Sequence, residues 1–419
     1  MTNKRPEIRF SGFTDDWKQC KLGQNSVIKT GGTPKTGISE YWFPKEIPWM
    51  SSGEVNKKRL FNTDNQISKK GLENSSARWI KEKSILIALA GQGKTRGTVA
   101  INEIPLTTNQ SIAAIEVDSS FDAEFVFQNL ENRYEELRMI SSGDGTRGGL
   151  NKQLVADINV VAPSVEEQRE IGLIFKQLDI IISLHQCEHE KFVNLKKAML
   201  QKMFPHNGKC VPEIRFKGFT NDWEQSNLGD CINYIKGFAF KSEDYRSDGI
   251  RIVRVSDLSS NEIKFDNEKI FLDREYENDY KKYKLNVGDI IITTVGSKVE
   301  LKESAVGRPI IVNKENEGLL NQNLVKISPQ NGYNSYFIYG NLLQERYMNY
   351  IGSIERGNAN QANIAISDLW QYKVYLTSNE EQEKIGNFFK QLDGTIILHQ
   401  EQLNKLQQIK KSMLQKMFI

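Results

Sequence analysis

Ala88-Leu-Ala-Gly-Gln-Gly-Lys94-Thr95 comes after an apolar run and matches a relaxed phosphate-binding loop. In such a loop the Lys-Thr pair must open a helix, because the first helical N–H groups hold the phosphates. The next residues are Arg96-Gly97-Thr98-Val99-Ala100-Ile101, β-branched and broken by glycine. A hairpin fits this stretch better, with Lys94 and Arg96 offered at its tip to a phosphate backbone. Asp257, Glu262 and Lys264 loosely resemble a nuclease cluster, but their short spacing suits a charged turn. The chain has no Pro-Pro dipeptide, so it lacks the Asn/Asp-Pro-Pro-aromatic motif of amino-methylating DNA enzymes. Gly-x-Ser-x-Gly and His-Glu-x-x-His are also missing, and no credible triad is present. The residues argue against catalysis by this chain alone.

Other groups suit binding rather than bond-making. Gly143-Asp-Gly-Thr-Arg147-Gly-Gly149 and Gly352-Ser-Ile-Glu-Arg356-Gly357 each present an arginine from a Gly-flanked turn. Arginine in a groove can bond guanine O6 and N7. Lys57-Lys58-Arg59, Lys69-Lys70 and Lys281-Lys282 are candidate phosphate contacts, although such runs are often only solvated faces. Lys241, Arg254 and Lys298 join them as candidates. Asn109-Gln110 comes after a strand-like run and recurs as Asn321-Gln322 or Gln322-Asn323. Both dipeptides are counted among the candidate DNA contacts.

These groups need elements to carry them, and the chain supplies a repeat. Ser164–Phe204 recurs as Ser378–Phe418, with about 24 of 41 aligned positions identical. Neither copy contains proline after its start, and apolar residues recur at 3/4 spacing. The stripe in the first copy is Ile171, Ile174, Leu178, His185, Phe192, Leu195 and Met199. In the second it is Ile385, Phe388, Leu392, His399, Leu406, Ile409 and Met413. Each copy predicts a helix about 60 Å long. A lone helix with such a stripe is unstable in water, and its nearest partner is its own copy, antiparallel. His185 and His399 then face each other near a pseudo-two-fold axis and set register. His185 and His189 are also spaced i, i+4, as a metal would need, but none is expected because Leu403 stands where the first copy has His189.

The repeat extends beyond the helices. Pro6-Glu-Ile-Arg-Phe10 with Gly12-Phe-Thr-Asp-Asp-Trp17 recurs as Pro212-Glu-Ile-Arg-Phe216 with Gly218-Phe-Thr-Asn-Asp-Trp223. Between opening segment and helix lie blocks with β-like runs at 84–90 and 98–101, then at 250–255, 289–295 and 308–312. The block interiors match poorly. Both halves therefore dock something in the same way, while each half reads something different. The chain has 419 residues and a net charge of +3, so any nucleic-acid contact rests on local patches. Four scattered cysteines read as reduced bystanders of a cytoplasmic protein. No apolar run approaches the roughly 20 residues of a membrane span.

The ordered motif set resembles the specificity (S) subunit of type I restriction–modification systems over the whole chain. It comprises the two opening segments, Gly32-Thr-Pro34 and Gly237-x-x-Phe-x-Ser242, the Asn-Gln after a strand, and two Glu-x-Gln-x-x-Ile helix starts at Glu166–Ile171 and Glu380–Ile385. The resemblance implies two target-recognition domains, each binding half of a split target in double-stranded DNA, with the paired helices as spacer. It implies two methylase (M) subunits using S-adenosylmethionine on adenine, and motor-nuclease (R) subunits using ATP and magnesium. This chain would bind no cofactor or metal itself. The expected fold is α+β: two mixed, strand-rich domains separated by two long antiparallel coiled-coil helices, with a pseudo-two-fold internal repeat. The expected boundaries are 1–163, 164–204, 205–377 and 378–419. The competing readings are a tandem-repeat protein-binding scaffold and a P-loop nucleotide-binding protein.

Overall fold

Two runs of the sequence meet the requirements of a long helix, and both form one: Val165–Lys202 and Asn379–Met417. Each is preceded by a serine whose Oγ accepts the N–H three residues on, Ser164 from Glu167 at 3.4 Å and Ser378 from Glu381 at 3.3 Å. Glutamates in the first turn and a lysine in the last suit the helix dipole in both.

The computed structural model describes all residues except 1–4, 92–94, 141–148, 207, 260–261, 265–266, 300–305, 331 and 359–360. The chain forms two compact units, one of Met1–Gln186 with Glu401–Ile419 and the other of Cys187–Gln400. Each unit thus holds one strand-rich block, one half of the first long helix and one half of the second.

In the first unit a five-stranded sheet runs in the order Ser26–Thr30, Ile112–Val117, Ile85–Ala88, Val99–Asn102, Arg59–Leu60. A smaller sheet has the order Asn65–Ile67, Ile47–Met50, Thr107–Thr108, with its last pair parallel. The second unit repeats this plan. Its larger sheet runs Ile232–Lys236, Leu324–Pro329, Ile290–Thr293, Pro309–Ile311. Its smaller sheet runs Ile270–Leu272, Ile250–Val253, Leu319–Leu320, again with a parallel last pair. The blocks that match poorly in sequence therefore share a strand order, apart from the fifth strand Arg59–Leu60 in the first and a third sheet, Val295–Gly296, Gln361–Asn363, Arg356–Asn358, in the second. Central strands such as Ile85–Ala88 and Ile290–Thr293 are buried along their whole length, so apolar side chains of about the right size keep them paired while the exposed residues diverge.

The opening segments and the Glu-Gln helix starts are joined in the same way in each unit. Arg9 makes a two-pronged ion pair with the buried Glu167, both bonds 2.7 Å. Arg215 does the same with Glu381 at 2.8 and 2.7 Å. Gln168 accepts the Asp122 N–H at 2.9 Å, and Gln382 accepts that of Asn334 at 3.4 Å. Asp122 and Asn334 in turn cap helices Ala123–Asn132 and Ser335–Leu342. Gly172 and Gly386 lie beneath these caps, where a Cβ would meet Asp122 Oδ1 at 2.7 Å or Asn334 Oδ1 at 1.9 Å. Part of the repetition thus serves to seat each block on its helix.

Aromatic rings fill both seats. In the first unit Phe418 packs on Phe125, Phe175 and Trp17 with centroids 5.2, 5.8 and 6.5 Å away. In the second, Phe204 packs on Phe337, Trp223 and Phe389 at 5.5, 5.9 and 6.0 Å. The helices are antiparallel within each unit. Lys410 Nζ lies 2.6 Å from Asp179 in the first, and Lys196 Nζ lies 2.6 Å from Asp393 in the second.

Of the expected stripe, Ile171, Ile385 and Leu392 are buried. Ile174, Leu178, His185, Phe192, Met199, Phe388, His399, Leu406 and Met413 are half-buried. Leu195 and Ile409 are exposed, at 40 % and 39 %. Phe175 and Phe389, one position along from the half-buried Ile174 and Phe388, are buried in the two aromatic seats, against Phe418 and Phe204 just past the end of the other long helix. The His399 ring stacks on Phe192 at 5.5 Å, with Nε2 3.5 Å from Glu188.

Candidate nucleic-acid interface

The Asn-Gln dipeptide sits at one structural position in both blocks. In the first, residues 109–111 join the short strand Thr107–Thr108 of the smaller sheet to Ile112–Val117 of the larger. In the second, residues 321–323 join Leu319–Leu320 to Leu324–Pro329. The Asn109 N–H donates to Met50 O at 3.0 Å and the Asn321 N–H to Val253 O at 3.1 Å, and each acceptor ends its strand. Of the two alignments open in the sequence, Asn321-Gln322 is the equivalent. Both asparagine side chains are used in the turn. Asn109 Oδ1 accepts Ser111 N–H at 3.1 Å, and Asn321 Oδ1 accepts Gln322 N–H at 2.8 Å. Gln110 and Gln322 are exposed. Gln110 Oε1 accepts the Thr33 hydroxyl at 2.7 Å.

The glycine-started loops close on these turns. A Cβ at Gly31 would lie 2.0 Å from Thr108 O, and one at Gly237 would lie 1.8 Å from Asn321 O. Only glycine allows the approach. Beyond Gly237, Phe238 and Phe240 stack with Tyr280 and Tyr283, with Phe238–Tyr280 at 5.0 Å and Phe238–Tyr283 at 5.3 Å. That cluster carries the exposed Lys281 and Lys282, the latter with Nζ 4.8 Å from the Tyr283 ring. Lys241 is exposed on the same loop, 3.3 Å from Glu243.

The other candidate cations fall into distinct surroundings. Lys57 and Lys58 leave the end of the short helix Ser52–Lys57, which comes after strand Ile47–Met50. Lys57 bonds Asp64 at 2.6 Å, and this bond holds its pKa above the ordinary lysine value. Lys58 is 63 % exposed and reaches Glu131 at 2.5 Å. Lys69 and Lys70 are exposed and neighbour Glu46 and Glu40. Arg59 is drawn inward instead. Its guanidinium is 11 % exposed and bonds Glu103 at 2.6 Å and Glu124 at 2.5 Å, so it is a structural cation beneath helix Ala123–Asn132. Arg254 is also committed. Asp257 grips it through two 3.0 Å bonds, which raise its pKa.

Arg96 is half-buried and donates to Arg138 O at 2.8 Å. Lys298 is half-buried. Arg356 opens strand Arg356–Asn358, 65 % exposed, and pairs with Asp368 at 2.6 Å. Lys94 and Arg147 lie outside the described residues. Strands Ile85–Ala88 and Val99–Asn102 pair antiparallel, and no helix opens at Thr95, where a phosphate loop would need one. Asp257 is fully buried against Arg254, and Lys264 Nζ bonds Ser256 O at 3.2 Å, as a charged turn requires. Among the described residues no helix is long and apolar enough to cross a membrane.

The fold is one of two like units, each presenting an exposed amide turn and exposed lysines. Residues 14–193 and 220–408 both match the type I restriction modification DNA specificity domain. The chain belongs to that family. It is 25 % identical to the type I restriction enzyme MjaIX specificity subunit of Methanocaldococcus jannaschii, across 98 % of this chain and 94 % of that one. Identity to the MjaVIII specificity subunit of the same organism is 20 %, across 96 % and 91 %. The fold resembles the crystal structure of the type I S subunit from M. genitalium, with a TM-score of 0.68 at 14 % identity and 99 % of both chains covered. Two copies of a DNA specificity domain leave no support for the protein-binding scaffold, and the hairpin gives none to the P-loop reading.

Sequence reasoning missed the Glu103, Glu124 and Asp257 partners that draw Arg59 and Arg254 into the blocks. Only the Arg254–Asp257 spacing carried a signal, that of a tight turn closing on itself.

Proposed function

We propose that this chain supplies the address, and no chemistry, to a type I restriction–modification complex. Each block reads one half of a split duplex sequence. The helices Val165–Lys202 and Asn379–Met417 fix the number of unread base pairs between the halves. Two methylase subunits dock on the repeated surfaces and methylate adenine with S-adenosylmethionine. Motor-nuclease subunits add cleavage driven by ATP with magnesium. The exposed lysines 57, 58, 69, 70, 241, 281 and 282 contact phosphates, while loops that differ between the blocks read bases. The complex works in the cytoplasm, where the DNA is. The observation that carries this reading is a shared strand order in two blocks seated on nearly constant helices, with block interiors that match poorly in sequence.

Exchange of residues 24–150 for the first block of another family member tests it. One half of the methylated sequence changes, while the other half and the gap stay. A change in both halves contradicts independent reading.

A further inference from the structure

The blocks differ wherever they must read different bases, so what they share in the exposed turns should answer to what the half-sites share. In the proposed function, on which this inference rests, the shared feature is the adenine that receives the methyl group. We propose that Gln110 and Gln322 each take the place of that adenine when a methylase turns it out of the duplex, and pair with the thymine left behind.

Three observations converge on these residues. Both occupy the middle of a three-residue connection between equivalent strands, with the preceding asparagine bonded to equivalent strand ends. Both are exposed, while Asn109 and Asn321 are consumed in shaping the turns. Both turns are pressed against a glycine that leaves no room for a side chain, so the glutamine projects from a backbone that cannot retreat. The Gln322 N–H bonds Phe238 O at 2.8 Å, which ties it to the aromatic cluster bearing Lys281 and Lys282. The Thr33 hydroxyl bonds Gln110 Oε1 and orients the amide of the first block.

The chemistry suits the vacancy. The Watson–Crick edge of adenine offers thymine one N–H donor and one acceptor nitrogen. A carboxamide offers the same pair, Nε2–H to thymine O4 and Oε1 to thymine N3–H. Turning a base out leaves its partner's donor and acceptor unpaired inside the stack, which is part of the cost of extrusion. A glutamine inserted there lowers that cost at the step where the methylase needs it. It does not select the neighbouring bases, which explains why it survives in both blocks.

The test uses the full chain assembled with its methylase, on duplexes in which one of the two adenines is already methylated. Single-turnover methylation is then followed at each half-site separately. Gln110→Ala is expected to slow methylation in the half read by the first block by about tenfold or more. Its rate at the other half stays within about twofold, and the sequence read is unchanged. Gln322→Ala gives the mirror result. Replacing the opposing thymine with an abasic nucleotide removes the unpaired base, so wild type and variant then react at equal rates. An unchanged rate, a loss at both halves, a changed sequence, or a loss that persists opposite the abasic nucleotide overturns the proposal. If the wild-type complex methylates no two-part sequence at all, the reading of the chain as a type I address falls, and this inference with it.

Discussion

Phe418→Ala is expected to destabilise the first unit by about 3–5 kcal/mol, although the residue stands at the far end of the chain from that unit's block. Its ring is 7 % exposed and lies among Trp17, Phe125 and Phe175. Removing it opens a cavity bounded by an opening segment, a capped helix and the start of the first long helix. None of these collapses easily, because each is also held by the Arg9–Glu167 pair and the Asp122 cap. Phe204→Ala, with its residue fully buried, should cost the second unit a similar amount. Amide hydrogen exchange separates the two. Phe418→Ala accelerates exchange in the ribbon Lys18–Lys21/Asn159–Ala162, and Phe204→Ala in Glu224–Asn227/Lys373–Leu376. A loss below about 1 kcal/mol, or exchange rising in the wrong ribbon, contradicts these seats.

Lys410→Met is the second large effect. Lys410 Nζ is 10 % exposed and bridges Asp179 at 2.6 Å and Glu131 at 2.7 Å. Burial alone would lower its pKa, but the two carboxylates outweigh burial and raise it. Glu131 is also taxed by burial, yet Lys410 and Lys58 bring its pKa below the usual carboxylate value. A raised lysine contributes stability that is full below its unfolded pKa and is lost as pH rises through its folded one. A lowered glutamate contributes stability above its unfolded pKa, lost as pH falls through its folded one. The bridge is therefore intact across neutral pH. Among the described residues, cutting out the lysine leaves Asp179 with only Arg59 as a cation, 3.9 Å away, and Glu131 with only the exposed Lys58, at a cost of about 2–3 kcal/mol. Lys410→Met combined with Glu131→Gln and Asp179→Asn should recover most of the loss, because the uncompensated charge is gone. Denaturant unfolding of the single and triple variants measures both. Equal stability of the two variants would mean that the bridge carries no strain of unpaired charge.

The long helices were legible because 3/4 apolar spacing, acidic starts and basic ends are local signals, and because each copy explains the other. The common topology of the blocks was not legible. Its strands pair across long separations, as Ile47–Met50 does with Thr107–Thr108, and their short apolar runs carry no mark of which strand is the partner. The candidate binding residues divided along the same line. Lys281, Lys282, Gln110 and Gln322 are exposed polar groups, as turn-like surroundings in the sequence suggest. Arg59 looked like part of a basic run, but its partner Glu124 lies 65 residues away, beyond any sequence pattern. The constant Arg and Glu-Gln motifs pointed to a shared docking event. The structure shows that one such event is internal, through Arg9–Glu167 and Arg215–Glu381.

The measurement that bears most directly on the central claim is a methylome. This chain is expressed with its methylase in a host free of adenine methylation, and the modified adenines are mapped by sequencing. The account predicts one asymmetric two-part sequence with a fixed gap and a methylated adenine in each part. No modified sequence, with both proteins soluble and associated, would contradict it.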